Sequence, residues 1–256
     1  MRKLGRTTFN TLNVQNRVEV EKTPISNPKY TYITFDHDPS TSAKAGGAAT
    51  GTAGDENVMI FANEAFEYHI LGTQTITAPS LTAVGLNINM DQTANDGIEI
   101  SQGILSNSKH AYTVGTDEAF FIEVEFKIAD VSGTDDCAIG FRKAEAYQAA
   151  IDNYDEMAAL NVITGNINIE TILNNAATST TDTTQDWADA ETHKLRVEVS
   201  KDGLVRFKID GSAPTVNVEN FQFDDGEVVV PFMYFLNHTD IAGAVELITW
   251  ESGYLL

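Results

Sequence analysis

A single cysteine, Cys137, leaves this 256-residue chain without any internal disulfide. That suits synthesis and assembly in a reducing compartment. No run of 18 apolar residues occurs, which excludes a membrane-spanning helix. The basic opening "MRKLGRTTFNTLNVQ" lacks the apolar segment of a secretory signal, so the expectation is a chain assembled in the cytoplasm without export. Cations are scarce, with 16 Lys and Arg against 37 Asp and Glu and a formal net charge of -21. They are also unevenly placed. Residues 1–30 hold six Lys/Arg and two Glu, and the remainder holds ten Lys/Arg and 35 acids, so an arm of +4 precedes a body of -25. Such a body repels phosphates and anionic bilayers, which argues against nucleic acid and membrane as partners. The arm, with Arg2, Lys3, Arg6 and Arg17, reads either as a solvated terminus or as a contact to an acidic protein neighbour.

Catalytic constellations are equally scarce. A glycoside hydrolase needs two carboxyls converging on one bond, and a Glu-x-Asp-x-x-Glu run is absent. Glu123 and Glu125 in "IEVEF" share what reads as a solvated strand face, and the sequence neighbours Asp155 and Glu156 point apart on either helix or strand. No Gly-x-Ser-x-Gly elbow occurs, and Cys137 falls on a core face. None of the five histidines (37, 69, 110, 193, 238) has a metal-ligand spacing. Calcium stays open, because it accepts scattered loop oxygens; Asp130, Asp135 and Asp136, or Asp91 and Asp96, could supply them, and they equally make turns. No other cofactor is expected. Gly46, Gly47, Gly51 and Gly54 sit in a small-residue loop, 39–56, that is not a phosphate-binding motif. The sequon Asn237-His238-Thr239 carries no weight without an export signal.

What is present is strand after strand. "YTYITFD" (30–36) alternates, and short strands follow in 57–79. "FFIEVEFKIADV" places Ile122, Val124, Phe126 and Ile128 on one face, and "CAIGFRKA" places Cys137, Ile139 and Phe141 inward and Arg142 outward. "GNINIETILNN" aligns Ile167, Ile169 and Leu173. "HKLRVEVSKDGLVRFKIDG" opposes Leu195, Val197 and Val199 to Val205, Phe207 and Ile209 across Asp202-Gly203, with Arg196, Glu198, Arg206 and Lys208 outside. The stretch from Val228 to Leu236 is apolar on both faces, so it is buried on both sides or meets a partner through Val229, Pro231, Met233 and Phe235. Pro231 favours an edge or bulge there. Only 144–160 has helical composition, with Tyr147, Ile151, Tyr154 and Ala158 on one helical face, and it reads as a short helix or loop between strands. Exposed, Tyr154 and Trp187 could stack on sugars; packing is the alternative. At least eight strands after residue 81 predict an all-β antiparallel sandwich, residues 81–256, behind an arm and small N-terminal region, residues 1–80.

Two resemblances add to this. "DWADAETHKLRVEVSKDGLVRFKIDG", through Trp187, His193, Leu195, Asp202, Gly203, Asp210 and Gly211, resembles the strand pair of concanavalin A-like and laminin G-like jelly rolls. The wider stretch from "DQTANDGIEISQGI" to "FDDGEVVVPFMYFLNHTDIAGAVELITWE", about residues 85–253, resembles jelly-roll virion proteins of tailed bacteriophages. That implies a non-enzymatic virion structural protein: a decoration or cement protein on the capsid exterior, contacting the major capsid protein and sister copies, with a trimer suiting three-fold lattice positions. The alternative it leaves is a lectin-like module of a fibre or tail that attaches to host glycans.

Overall fold

The computed structural model describes residues 29–35, 44–46, 56–61, 64–75, 79–103, 108–241 and 243–255. The basic side chains of Arg2, Lys3, Arg6 and Arg17 and most of the 39–56 loop lie outside these residues. The strands are β1 (Thr31–Thr34), β2 (Lys44–Gly46), β3 (Glu56–Phe61), β4 (Glu64–Leu71), β5 (Ser80–Leu81), β6 (Leu86–Asn87), β7 (Gly97–Ser101), β8 (Tyr112–Thr113) and β9 (Phe120–Ile128). They continue with β10 (Thr134–Lys143), β11 (Met157–Ile163), β12 (Asn166–Ile172), β13 (Ser179–Asp186), β14 (Thr192–Val199), β15 (Val205–Ile209), β16 (Val228–Asn237) and β17 (Val245–Tyr254). Two antiparallel sheets result. One has seven strands in the order β15-β14-β9-β17-β6-β5 with β1 added to β17, and the other has ten in the order β13-β12-β11-β10-β16-β7-β4-β3-β2 with β8 added to β16.

The period-two pattern explains the stacking of one sheet on the other. Ile122, Val124, Phe126 and Ile128 of β9 and Val197, Val199 and Phe207 of the β14–β15 hairpin meet Cys137, Ile139, Phe141, Leu160, Met233 and Phe235 from the larger sheet. The smaller sheet turns its other face to water as a ladder of paired charges. Arg196 contacts Glu123 and Glu198, Lys208 contacts Glu198, and Lys127 contacts Glu246. Glu123 therefore serves this ladder, and Glu125 flanks it at Lys194. The Asp202-Gly203 turn is a three-residue loop, Lys201 to Gly203, closed by a bond from Ser200 N to the Leu204 carbonyl, with Gly203 at φ +90°. A two-residue turn was expected, but Ser200 still pairs with Leu204, which leaves the third residue to take the left-handed conformation.

Four readings are decided by the structure. The boundary at residue 80 is not a boundary in pairing: β1 extends the sheet at β17, and β4 lies hydrogen-bonded between β3 and β7. Of the two readings of 144–160, a short helix or a loop between strands, the loop holds: the segment gives a strap with one 3-10 turn, Ile151–Asn153, and the chain enters β11 at Met157. Of the alanines that propensity would place in a helix, Ala146, Ala149 and Ala150 are exposed, whereas Ala158 and Ala159 are buried in β11 opposite Phe141 and Gly140 of β10, where tertiary burial overrides propensity. β16 is a central strand. Pro231 is tolerated because its missing N–H falls where β7 ends opposite Phe232 and β8 begins opposite Val229. Finally, Val229, Met233 and Phe235 point into the core and Pro231 is buried as well, so these four side chains present no docking surface. Both faces of β16 are apolar because both are covered.

Candidate functional site

The outer face of the ten-stranded sheet carries the polar groups that folding does not spend on the core. Its centre is closed by the strap. Tyr147 donates to the Ile70 carbonyl at 3.2 Å, Tyr234 donates to the Ala149 carbonyl at 3.0 Å, and Ile151 and Tyr154 pack with Met157, Phe232 and Leu71. Tyr147 also stacks on His69 at 4.8 Å between ring centres. Beneath the strap, Arg142 points to this face and not to solvent. It is fully buried, with Nη2 2.6 Å and Nε 2.8 Å from one oxygen of Glu99. The other Glu99 oxygen accepts from the Tyr154 hydroxyl, and the guanidinium lies over the Tyr154 ring at 4.5 Å. Burial alone would lower the Arg142 pKa, but the Glu99 charge outweighs it and raises it. Burial and the same carboxylate push the Tyr154 hydroxyl up. Arg142 and Glu99 neutralise each other, so this centre is sealed and structural.

Beyond the strap the face opens over β10 to β13. Asn161 on β11 donates both amide hydrogens: to Asp136 Oδ1 at 2.6 Å and to Glu170 Oε2 at 2.8 Å. Its own oxygen accepts from the Cys137 backbone N–H, which fixes the amide orientation. Thr180 of β13 completes the row by donating to Glu170 at 3.1 Å, and Thr178 ties Asp152 of the strap to the same edge at 2.6 Å. Burial pushes Asp136 up to about 7, against the pull of Asn161 and with help from the charges of Glu170, Asp135 and Asp152. Burial raises Glu170 too, opposed by Asn161 and Thr180. The result is a row of carboxyl acceptors joined by one amide, in which Asn161 and Glu170 are buried and Asp136 and Thr180 reach the surface. No lysine, arginine or histidine occurs anywhere from residue 144 to 192.

Of the two readings of Tyr154 and Trp187, stacking on sugars or packing, packing holds. Tyr154 is buried under the strap, and Trp187 is 2% exposed, wedged against Phe126 and His193 and donating to the Glu191 carbonyl. The candidate calcium ligands serve turns: Asp130 caps the 3-10 turn at Ser132, Asp91 accepts from Thr75 N, and Asp96 accepts from Thr73 N. Among the described residues no three His, Cys, Asp or Glu side chains are grouped to hold a metal. Asp136 alone of that set joins the row. Asp155 reaches Lys143 at 3.5 Å, while burial together with the charges of Glu227 and Asp224 pushes Glu156 up to about 7. Asn161 and Glu170 were missed in the sequence. The signal was the complement of the apolar alternation in "GNINIETILNN", where Asn166, Asn168 and Glu170 share the face opposite Ile167 and Ile169.

No protein-family model and no curated protein sequence matches the chain. Solved structures do match in shape. The carbohydrate recognition domain of Emp47p superposes with a TM-score of 0.50 at 13% identity over 86% of this chain and 99% of that one. The potassium-bound form of the Emp46p carbohydrate recognition domain gives 0.50 at 10% identity, over 73% and 88%. The fold is that of the concanavalin A-like jelly rolls. A Bacillus licheniformis β-glucanase also aligns, at a TM-score of 0.46 and 10% identity over 89% and 98% of the two chains. At these identities the likeness establishes architecture alone.

Proposed function

We propose that this chain is a non-catalytic carbohydrate-binding jelly roll, with its binding surface on the open part of the ten-stranded sheet. The observation that carries this reading is the Asp136–Asn161–Glu170 row, two carboxyl acceptors held in place by the buried Asn161 amide, whose oxygen is fixed by the Cys137 backbone N–H. Adjacent sugar hydroxyls are both donors and acceptors, and such a row meets them without a metal or a covalent step. The fold shared with carbohydrate recognition domains supports it. The absence of cations along residues 144–192 sets the preference toward neutral glycans over sialylated or sulfated ones. Glycan-array screening followed by calorimetry tests it: a neutral oligosaccharide should bind, and D136N/E170Q should weaken binding at least tenfold. An unchanged affinity in that double variant, or no binding at all, overturns the reading.

The location belongs to the second half of the proposal, a place on a tailed-phage particle, which rests on the resemblance of residues 85–253. Capsid decoration is the reading that the basic arm favours. Lys29, the last cation of residues 1–30, bonds Asp117 at 3.0 Å and lies over the Tyr112 ring at 4.8 Å. Removing residues 1–28 should abolish attachment to capsid shells and leave a folded sandwich. Undiminished attachment sinks the docking role.

A further inference from the structure

Away from the row, at the rim where β3 and β4 meet Gly103 and residues 108–110, the described residues line an open concavity of about 370 Å³. This lies at the small end of the range for ligand sites, room for one small ring and too little for a polymer to thread. Its wall is apolar at Ala65 and at Val58, which at 37% is one of four exposed large hydrophobic side chains among the described residues. Its polar side is made by Glu64, Glu67, Lys109 and His110. Lys109 spans both oxygens of Glu64 at 2.7 and 2.8 Å, and His110 Nε2 stands 3.5 Å from one of them. His110 is 3% exposed, so its ring is part of the floor. Burial, reinforced by the Lys109 charge and opposed by Glu64, holds the imidazole pKa down at about 4, and the ring is neutral near pH 7. The floor behind it is braced to the other sheet, because Gln102 accepts from Trp250 Nε1 at 2.8 Å and donates to Thr31 at 3.2 Å.

We propose that this concavity is a second site, taking a single neutral hexose-sized polyol with its C–H face on Val58 and Ala65 and a hydroxyl pair on Glu64 and Lys109. A carboxylate and an ammonium side by side offer an acceptor and a donor at the spacing of neighbouring hydroxyls. Two carboxylates against one ammonium on a body this acidic disfavour an anionic ligand. The inference rests on the carbohydrate-binding reading for its ligand class, but it concerns different residues.

Saturation-transfer NMR on the full chain with the methyl glycosides of glucose, galactose and mannose tests it. At least one glycoside should receive saturation from the unaltered protein, lose it in V58W, which fills the space, and lose at least tenfold in affinity in E64Q, with K208A, on the outer face of the smaller sheet and outside both proposed sites, unaffected. Transfer that persists in both V58W and E64Q overturns the site. No transfer from any glycoside, with oligosaccharide binding retained at Asp136 and Glu170, also overturns it and leaves the proposed function standing. Failure of both kinds of binding removes the two together.

Discussion

Arg142 and Glu99 form an ion pair at 2.6 Å with neither side chain exposed to solvent, on the outer face of a sheet where the surface of a sandwich would normally be wet. The strap from Ala144 to Glu156 makes that burial, and the pair in turn holds the strap through Tyr154. A buried pair adds little over an apolar substitute, whereas an orphaned partner is costly. Replacing Arg142 by Met, or Glu99 by Leu, should each destabilise by about 3–5 kcal/mol. R142M/E99L should recover most of the loss. Chemical denaturation of the three variants gives the coupling, and additive losses in the double variant would show that the pair is not the unit.

Asp136 provides a test of the acceptor row through pH. Its folded pKa of about 7 lies above the ordinary 3.8, so the folded state holds a proton that the unfolded state has released. Below pH 3.8 both states are protonated and nothing is lost. From there to about 7 the penalty grows, and it is complete above 7, with a ceiling of about 4 kcal/mol. Asn at this position can still accept from Asn161. D136N should therefore raise the melting temperature at pH 8 and change it little at pH 4. An effect that is equal at both pH values would show that Asp136 titrates normally.

The inner faces of both sheets were legible because they obey period two: Ile122 to Ile128, Cys137 to Phe141 and Leu195 to Ile209 all point where the alternation says. The two-sided apolar β16 was legible as an anomaly, but not its cause. Coverage by a strap that begins about 90 residues earlier in the chain is a long-range fact, and composition made that strap look helical. Arg142 shows the limit plainly. Alternation correctly put it on the outer face, and only the strap decides that the outer face there is dry. The polar row was hidden because Asp136, Asn161 and Glu170 come from three strands, and no spacing within any one of them announces the convergence.

His193 should respond to pH in the opposite sense. Burial opposes its charge, but Asp210 at 2.7 Å and Glu191 at 3.1 Å win, and its pKa is raised above 6.5. A raised histidine stabilises fully below the unfolded value and loses that contribution as pH climbs through the folded value. The deficit of H193Q should thus be larger at pH 5.5 than at pH 9. The His193 imidazole resonance, assigned by its loss in H193Q, should titrate above the free value, and a midpoint below 6.5 would contradict the pairing.

Two glycines in the same hairpin region separate backbone strain from crowding. Gly203 (φ +90°) and Gly211 (φ +80°) both adopt a conformation that side chains resist at about 1–2 kcal/mol. A Cβ at Gly203 would lie 2.4 Å from the Phe223 carbonyl oxygen and 2.9 Å from Val114, whereas one at Gly211 meets nothing within 4 Å. G211A should cost about 1 kcal/mol, the conformational part alone. G203A should cost at least twice as much, because the connection at Phe223 must move and its N–H bonds the Gly203 carbonyl at 3.1 Å. Denaturant midpoints of the two variants measure the difference, and equal losses would mean that the contact with Phe223 yields freely.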